Sequence, residues 1–238
     1  MSFKIFKRKP LHLYSELKPM ERITKLFLEF TFPSLEKNGF KYLKSQQEFK
    51  KRNDFFQFVI HWYGRKYNEG NLSVEFDIVL HVISPKYRKW ETKFYNLEKN
   101  WERAIDGTRV DYIENWNKEF YYSGWYDLVK DDNDKVMRSI NKNFETFGKE
   151  FFQHYETIDS AINKLKENPI IHFESIIDFY IIQDKWEKAN EFFEENKEWF
   201  EEQEKLEGNN PNSQFCLNRK EPFELRKEKI KNWLQHRI

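Results

Sequence analysis

A chain of 238 residues suits one α+β domain with a helical extension better than two equal halves, and 34% charged residues at a net charge of only +1 exclude a disordered chain. Aromatic residues make up 18%, with 24 Phe and 12 Tyr against 3 Met, so the core is built from large flat rings and tolerates little truncation. The single cysteine, Cys216, excludes an intrachain disulfide, and no uncharged run approaches the ~20 residues of a membrane-spanning helix.

Taken in chain order, Lys4, Lys7, Arg8 and Lys9 precede Pro10 and Glu16 where a signal peptide would carry its apolar stretch. With a lone cysteine, this reads as a cytoplasmic protein, and the Asn71-Leu72-Ser73 triplet reads as a chance match to a glycosylation acceptor. From Pro19 to Asn38, Ile23, Leu26, Phe27, Phe30 and Leu35 recur at helical spacing, with Pro33 bending or dividing the helix and Gly39 ending it.

Next, Phe56, Phe58, Ile60 and Trp62 alternate with Gln57, His61 and Tyr63, and Leu72 to Val82 repeat the pattern, which predicts two half-buried strands in one hairpin. Gly70 suits the left-handed position of a short loop at Asn68-Glu69-Gly70. If Tyr67 faces Asn71, Trp62 meets Phe76, Ile60 meets Ile78 and Phe58 meets Leu80, and a slip by one residue would set this apolar face against Glu75, Asp77 and Val79. The same register sets His61 opposite Asp77 and Tyr63 opposite Glu75.

Phe40 to Leu43 and Glu48 to Arg52 are first-strand candidates, and Thr108 to Ile113 and Phe120 to Val129 are two more after a charged connection. The expected fold is α+β: an antiparallel sheet of four or five strands packed with helices, then a C-terminal helical region. Asp131-Asp132-Asn133-Asp134 supplies an N-cap and first-turn acids to a helix carrying Val136, Met137, Ile140 and Phe144. Helical spacing continues through Phe151 to Tyr155, Ile158 to Leu165, Ile171 to Ile182 and Trp186 to Leu206, and resumes near Pro222 to Trp233 after a polar loop. The domain division read from this pattern is 1–168 for the α+β part and 169–238 for the helical extension.

The run Gly39-Phe40-Lys41, the charged Phe49-Lys50-Lys51-Arg52, the hairpin after it, and the later Phe151-Phe152 with Tyr155-Glu156-Thr157 resemble an uncharacterised bacterial family, domain of unknown function 4304, over roughly residues 17 to 168. The resemblance implies a fold and brings no activity and no catalytic residues.

Several chemistries lack their residues. No Gly-x-Gly occurs, so the dinucleotide fingerprint and the phosphate-cradling loop are missing, and there is no Gly-x-Ser-x-Gly elbow. A calcium loop starting at Asp131 would have Val136 in place of the required glycine and Lys142 in place of the bidentate glutamate. No two histidines lie at i, i+4, so a helical metal site is not encoded locally, and no cofactor is expected.

Three candidate surfaces are left. The polar cluster His61, Tyr63, Glu75 and Asp77 on the outer face of the hairpin could serve hydrolase-type acid–base chemistry, with the carboxylate orienting the imidazole, or could be an ordinary exposed cross-strand pairing. Residues 1–52 contain 13 Lys or Arg against 5 Asp or Glu, which makes a nucleic-acid surface conceivable, although Phe56 and Phe58 turn to the core. Residues 184–207 hold 10 acids against 4 bases and carry the aromatic stripe Trp186, Phe192, Phe193, Trp199 and Phe200, either the packing face of the extension or a surface for a partner protein or a second copy. The leading expectation is a non-enzymatic, intracellular protein-interaction module, of which an immunity or antitoxin-like role is one form.

Overall fold

The computed structural model describes residues 11–70, 72–97, 104–113, 116–207 and 220–236. The basic run at 4–9, Asn71, the polar loop at 208–213 and Cys216 lie outside the described residues. The chain divides into two compact units, one made of Met1–Pro85 and Asp106–Tyr155, the other of Lys86–Ile105 and Glu156–Ile238. The division read from the sequence at residue 168 therefore differs from the observed one at Tyr155, and residues 86–105 go with the helical unit.

The first unit is α+β. Helix α1 (Pro19–Leu26) runs through a π turn (Phe27–Thr31) into α2 (Phe32–Lys37), and Pro33, which has no N–H to give the preceding turn, sits directly after the π turn, where the ladder has already widened. Asn141 Nδ2 donates to the Phe30 carbonyl of that turn at 2.6 Å, supplying a partner where the helical ladder widens. Gly39 ends the segment at φ +86°, the left-handed conformation expected of a helix-terminating glycine.

Seven strands follow: β1 (Lys41–Leu43), β2 (Glu48–Arg52), β3 (Gln57–Gly64), β4 (Glu75–Ile83), β5 (Asp106–Arg109), β6 (Tyr121–Tyr122) and β7 (Trp125–Asp127). They form one antiparallel sheet in the order β1-β2-β3-β4-β7-β6, with β5 paired to the far half of β4. The expected four or five strands are seven among the described residues: both first-strand candidates form, as β1 and β2, and the segment 120–129 is a tight hairpin, not one strand. Ser123 and Gly124 both take positive φ, 50° and 89°, as a two-residue type I′ turn requires.

The β3–β4 register also differs from expectation, by two residues: Trp62 faces Ile78, Ile60 faces Leu80 and Phe58 faces Val82. A shift of two keeps every side chain on its face, so apolar alternation cannot detect it. Loop chemistry decides it. Asn68 Nδ2 donates to the Glu75 carbonyl at 2.7 Å, and the Glu75 N–H donates to Asn68 Oδ1 at 2.8 Å, so a side-chain amide stands in for a strand residue and the paired strands stop at Gly64 and Glu75. Gly70 takes φ +46°, as expected of it.

The inner face is the core. Phe27 stacks on Trp62 at 4.6 Å and meets Phe76 edge-on at 5.6 Å, while Phe49 packs on Trp62 at 4.9 Å. Helix α4 (Asn133–Asn143) buries Val136, Met137 and Ile140, is capped by Asp132, and continues through a second π turn (Phe144–Gly148) into α5 (Lys149–Gln153). Arg22, 1% exposed, donates to the carbonyls of Leu13 and Leu128 and to Asn133 Oδ1, tying α1 to the start of α4. Phe27 has ring contacts to both β3 and β4, so Phe27→Ala is expected to cost about 3–5 kcal/mol in urea unfolding followed by tryptophan fluorescence.

The second unit is helical: α3 (Pro85–Phe94), α6 (Ile158–Leu165), α7 (Phe173–Ile182), α8 (Trp186–Glu207) and α9 (Lys220–Gln235). Helix α3 occupies what reads in the sequence as a charged connection; Tyr87, Trp90 and Phe94 fall at helical spacing within it. Asp178 of α7 is fully buried and accepts from Tyr87 at 2.7 Å, Tyr95 at 2.6 Å and Arg226 of α9. Burial pushes its carboxyl up while Arg226 pulls it down. Removing one member of such a pair leaves an uncompensated buried charge, so Arg226→Leu is expected to cost about 3–5 kcal/mol in chemical denaturation.

Candidate functional site

The outer face of the sheet carries the chemistry. Where β4 pairs with β7, Glu75 lies opposite Asp127, and Asp77 follows two residues along on the same face. Like charges placed directly across a sheet repel, and each carboxylate is met by a cation from a different segment. Arg65 Nη1 lies 2.5 Å from Glu75, Arg109 Nε 2.7 Å from Asp77, and Lys130 Nζ 3.2 Å from Asp127. Burial within the pairs is unequal: the carboxylate side chains are 15%, 0% and 5% exposed and the cations 47%, 35% and 59%. The anions form a floor and the cations stand above it.

Asp77 is the most heavily engaged. Tyr63 donates to its Oδ2 at 2.8 Å, Tyr121 to its Oδ1 at 2.8 Å, and the Ile78 N–H to Oδ1 at 2.7 Å. Arg109 Nη2 also donates to the Tyr121 hydroxyl at 3.2 Å and to the Gly124 carbonyl at 3.1 Å, fastening the β6–β7 hairpin beside β5.

Each cation also lies over a ring. Arg65 sits 5.8 Å from the Trp125 ring, Arg109 5.9 Å from Tyr112 and Lys130 5.6 Å from Tyr122, and at the hairpin tip Lys66 lies 5.7 Å from Tyr67. Trp125 packs edge-on against Tyr63 at 5.5 Å. Tyr67, Tyr112 and Tyr122 are 75%, 74% and 43% exposed, so aromatic faces alternate with cations at this end of the sheet.

The four residues expected to cluster separate into two places. Tyr63 and Asp77 are directly opposed and hydrogen-bonded, and Glu75 pairs with Arg65. His61 is not opposite Asp77; it faces Glu48 on β2 and Val79 on β4. This correction follows from the register shift, and it removes the carboxylate that was to orient the imidazole. Glu48 itself is held by Lys50 at 2.6 Å. His81 lies diagonal to His61, facing Val59 and Gly107; a Cβ on Gly107 would stand 2.7 Å from His81 Nδ1, so a side chain there would require the imidazole to move.

Burial lowers both imidazole pKa values; each also feels the opposing pull of Glu48, and His81 is further lowered by His61. The folded chain therefore binds fewer protons than the unfolded chain just below the ordinary histidine value of about 6.5. Stability contributed by these groups is fully present above that value and is lost as pH falls from it toward the folded pKa values. His81→Gln is expected to flatten the decline in urea-unfolding free energy between about pH 7 and 5, and an unchanged decline would show that His81 does not contribute to it.

The aromatic stripe of α8 faces inward for the most part. Phe192, Phe193 and Phe200 are buried, with Phe200 at 4.3 Å from Phe173 and 4.8 Å from Phe223, and Trp186 stacks on Trp233 at 5.6 Å. These four rings hold the helical unit together; Trp199, 37% exposed, packs edge-on against Phe200. A hollow of about 390 Å³ along α9 is lined by Glu221, Glu224, Leu225, Lys227, Glu228 and Lys231 of that helix alone. Among the described residues no group of three or more His, Cys, Asp or Glu is placed to hold a metal ion, and no helix is long and apolar enough to cross a membrane.

Sequence reasoning missed Arg65, Arg109, Tyr112, Tyr122, Trp125 and Lys130. The available signal was Tyr121-Tyr122-Ser123-Gly124-Trp125-Tyr126, a Ser-Gly turn between two aromatic pairs, which reads as a hairpin displaying alternate rings on each face. No family model, curated protein or solved structure matches the chain, so the resemblance noted from the sequence remains an expectation.

Proposed function

We propose that this protein acts by binding a macromolecular partner and not by catalysis, and that the surface responsible is the outer sheet face around Arg65, Arg109, Tyr112, Tyr122 and Trp125. The observation that carries the reading is the state of Asp77. A carboxylate with no exposed surface that meets two tyrosine hydroxyls, a backbone N–H and a guanidinium is fully engaged in holding four strands, and has no lone pair to spare for a substrate. His61, out of register with it, faces Glu48 instead, and that carboxylate is held by Lys50.

The composition of the face supports binding. Tyrosine, tryptophan and arginine supply most of the affinity at interfaces, because they bury large area with few rotatable bonds. Here they are held in place from beneath by the carboxylate floor. The expectation that α8 supplies the partner surface gives way to this one, since three of its rings are buried in its own unit.

The test compares the full chain with a variant carrying Tyr112→Ala and Tyr122→Ala, both immobilised in extract of the source cells. A partner retained by the wild type, identified, purified and rebound, is expected to bind the variant at least about tenfold more weakly, the effect of losing ~1.4 kcal/mol or more at a hot spot. Equal binding by both chains, or no retained partner, would count against the reading.

A further inference from the structure

Resting on the proposed binding role of this face, we infer that its ligand is single-stranded nucleic acid, with phosphates meeting Arg65, Lys66, Arg109 and Lys130 and bases stacking on Tyr67, Tyr112 and Tyr122. The argument starts from the unequal burial of the three ion pairs. Because Glu75, Asp77 and Asp127 lie beneath their cations, an approaching ligand meets positive charge first although each pair is neutral. The ligand selected on this ground is an anion.

The rings select the kind of anion. Four cation-over-ring pairs, Arg65 with Trp125, Lys66 with Tyr67, Arg109 with Tyr112 and Lys130 with Tyr122, recur around one end of one sheet. An acidic protein segment would use the cations and leave the exposed tyrosine faces without a matching group. A single strand offers both complements, a negative backbone and a flat base, in alternation, and every base has a π face. A duplex keeps its bases stacked on one another and cannot use the rings. The backbone that carries the rings is well supported: the type I′ turn at Ser123-Gly124 and the Arg109 bonds to Tyr121 and Gly124 hold the β6–β7 hairpin in place.

That Arg65, Arg109 and Lys130 already face carboxylates also limits the strength of the salt effect. At most four phosphates are engaged, so log affinity should fall against log salt with a slope of about −3 or shallower.

The experiment is fluorescence anisotropy of the full chain with labelled single-stranded RNA and single-stranded DNA of mixed sequence, the matching duplexes, and labelled polyglutamate, at about 50 mM salt and upward. Saturable binding of one or both single strands is expected, with the RNA and DNA arms telling which sugar is preferred, and with duplex and polyglutamate at least about tenfold weaker. The variant Tyr67→Ala, Tyr112→Ala, Tyr122→Ala should weaken single-strand binding at least about tenfold with its thermal unfolding unchanged. Should that triple variant misfold, Tyr67→Ala with Tyr112→Ala replaces it, at the two most exposed rings.

No binding of either single strand would overturn the inference. So would equal affinity for duplex or polyglutamate, or binding that the ring variants leave unchanged. A partner from extract that is lost from the Tyr112, Tyr122 variant yet resists nuclease would retain the binding role of the face while removing nucleic acid as its ligand.

Discussion

The carboxylate of Asp77 must be neutralised where it stands, and the organisation of the sheet's outer face follows from how this is done. It lies on β4 with no exposed surface, and its partners come from β3 (Tyr63), β5 (Arg109) and β6 (Tyr121). A buried charge without partners costs several kcal/mol, so these segments are bound to their places by the penalty of leaving it alone. The short strands β5, β6 and β7 have few ladder bonds of their own. Arg109 compensates by joining β5 to the turn of the β6–β7 hairpin, which lets a two-residue strand persist at the end of a sheet.

The inner face works by a different physics. Its cohesion comes from ring packing centred on Phe27 and Trp62, which is tolerant of small shifts along a strand but not of missing volume. The two π turns lie in the helical segments that cover this face, at Phe27–Thr31 and Phe144–Gly148. Each lets a helix add a residue without ending, and Asn141 supplies a partner for the Phe30 carbonyl. A Cβ at Gly148 in the second turn would stand 2.9 Å from the Phe144 ring, which would have to shift to admit it.

Much of the fold was legible in the sequence because it rests on alternation and helical spacing, which are local. Strands β3 and β4, the helix divided near Pro33, the N-cap at Asp132 and the helices from α5 onward all have such signals. The register of the hairpin was not legible, because a two-residue shift preserves the faces and the deciding contact is the Asn68 side chain on the Glu75 backbone. Helix α3 was hidden by its lysines and arginines although its three rings are correctly spaced. The candidate site was legible only at Tyr63, Glu75 and Asp77. Arg109 and Lys130 are unremarkable as letters; they acquire meaning from Asp77 and Asp127, and the first of these pairings joins segments far apart in the chain. Arg226, buried against Asp178 in the other unit, was invisible for the same reason.

The two buried ion-pair systems show how one kind of interaction serves two ends. Around Asp178 every member, Arg226 included, is enclosed, so the charges can only hold helices together. Around Asp77 the acid is enclosed and the base is half-exposed, so a cation that meets its carboxylate on one side still presents surface on the other. A surface built this way has little long-range field, because each charge is cancelled within a few ångströms, and so cannot draw ligands from a distance as an unpaired basic stripe would. Its selectivity arises at contact, where the spacing of rings and cations, set by the strands beneath, has to match the spacing of what binds.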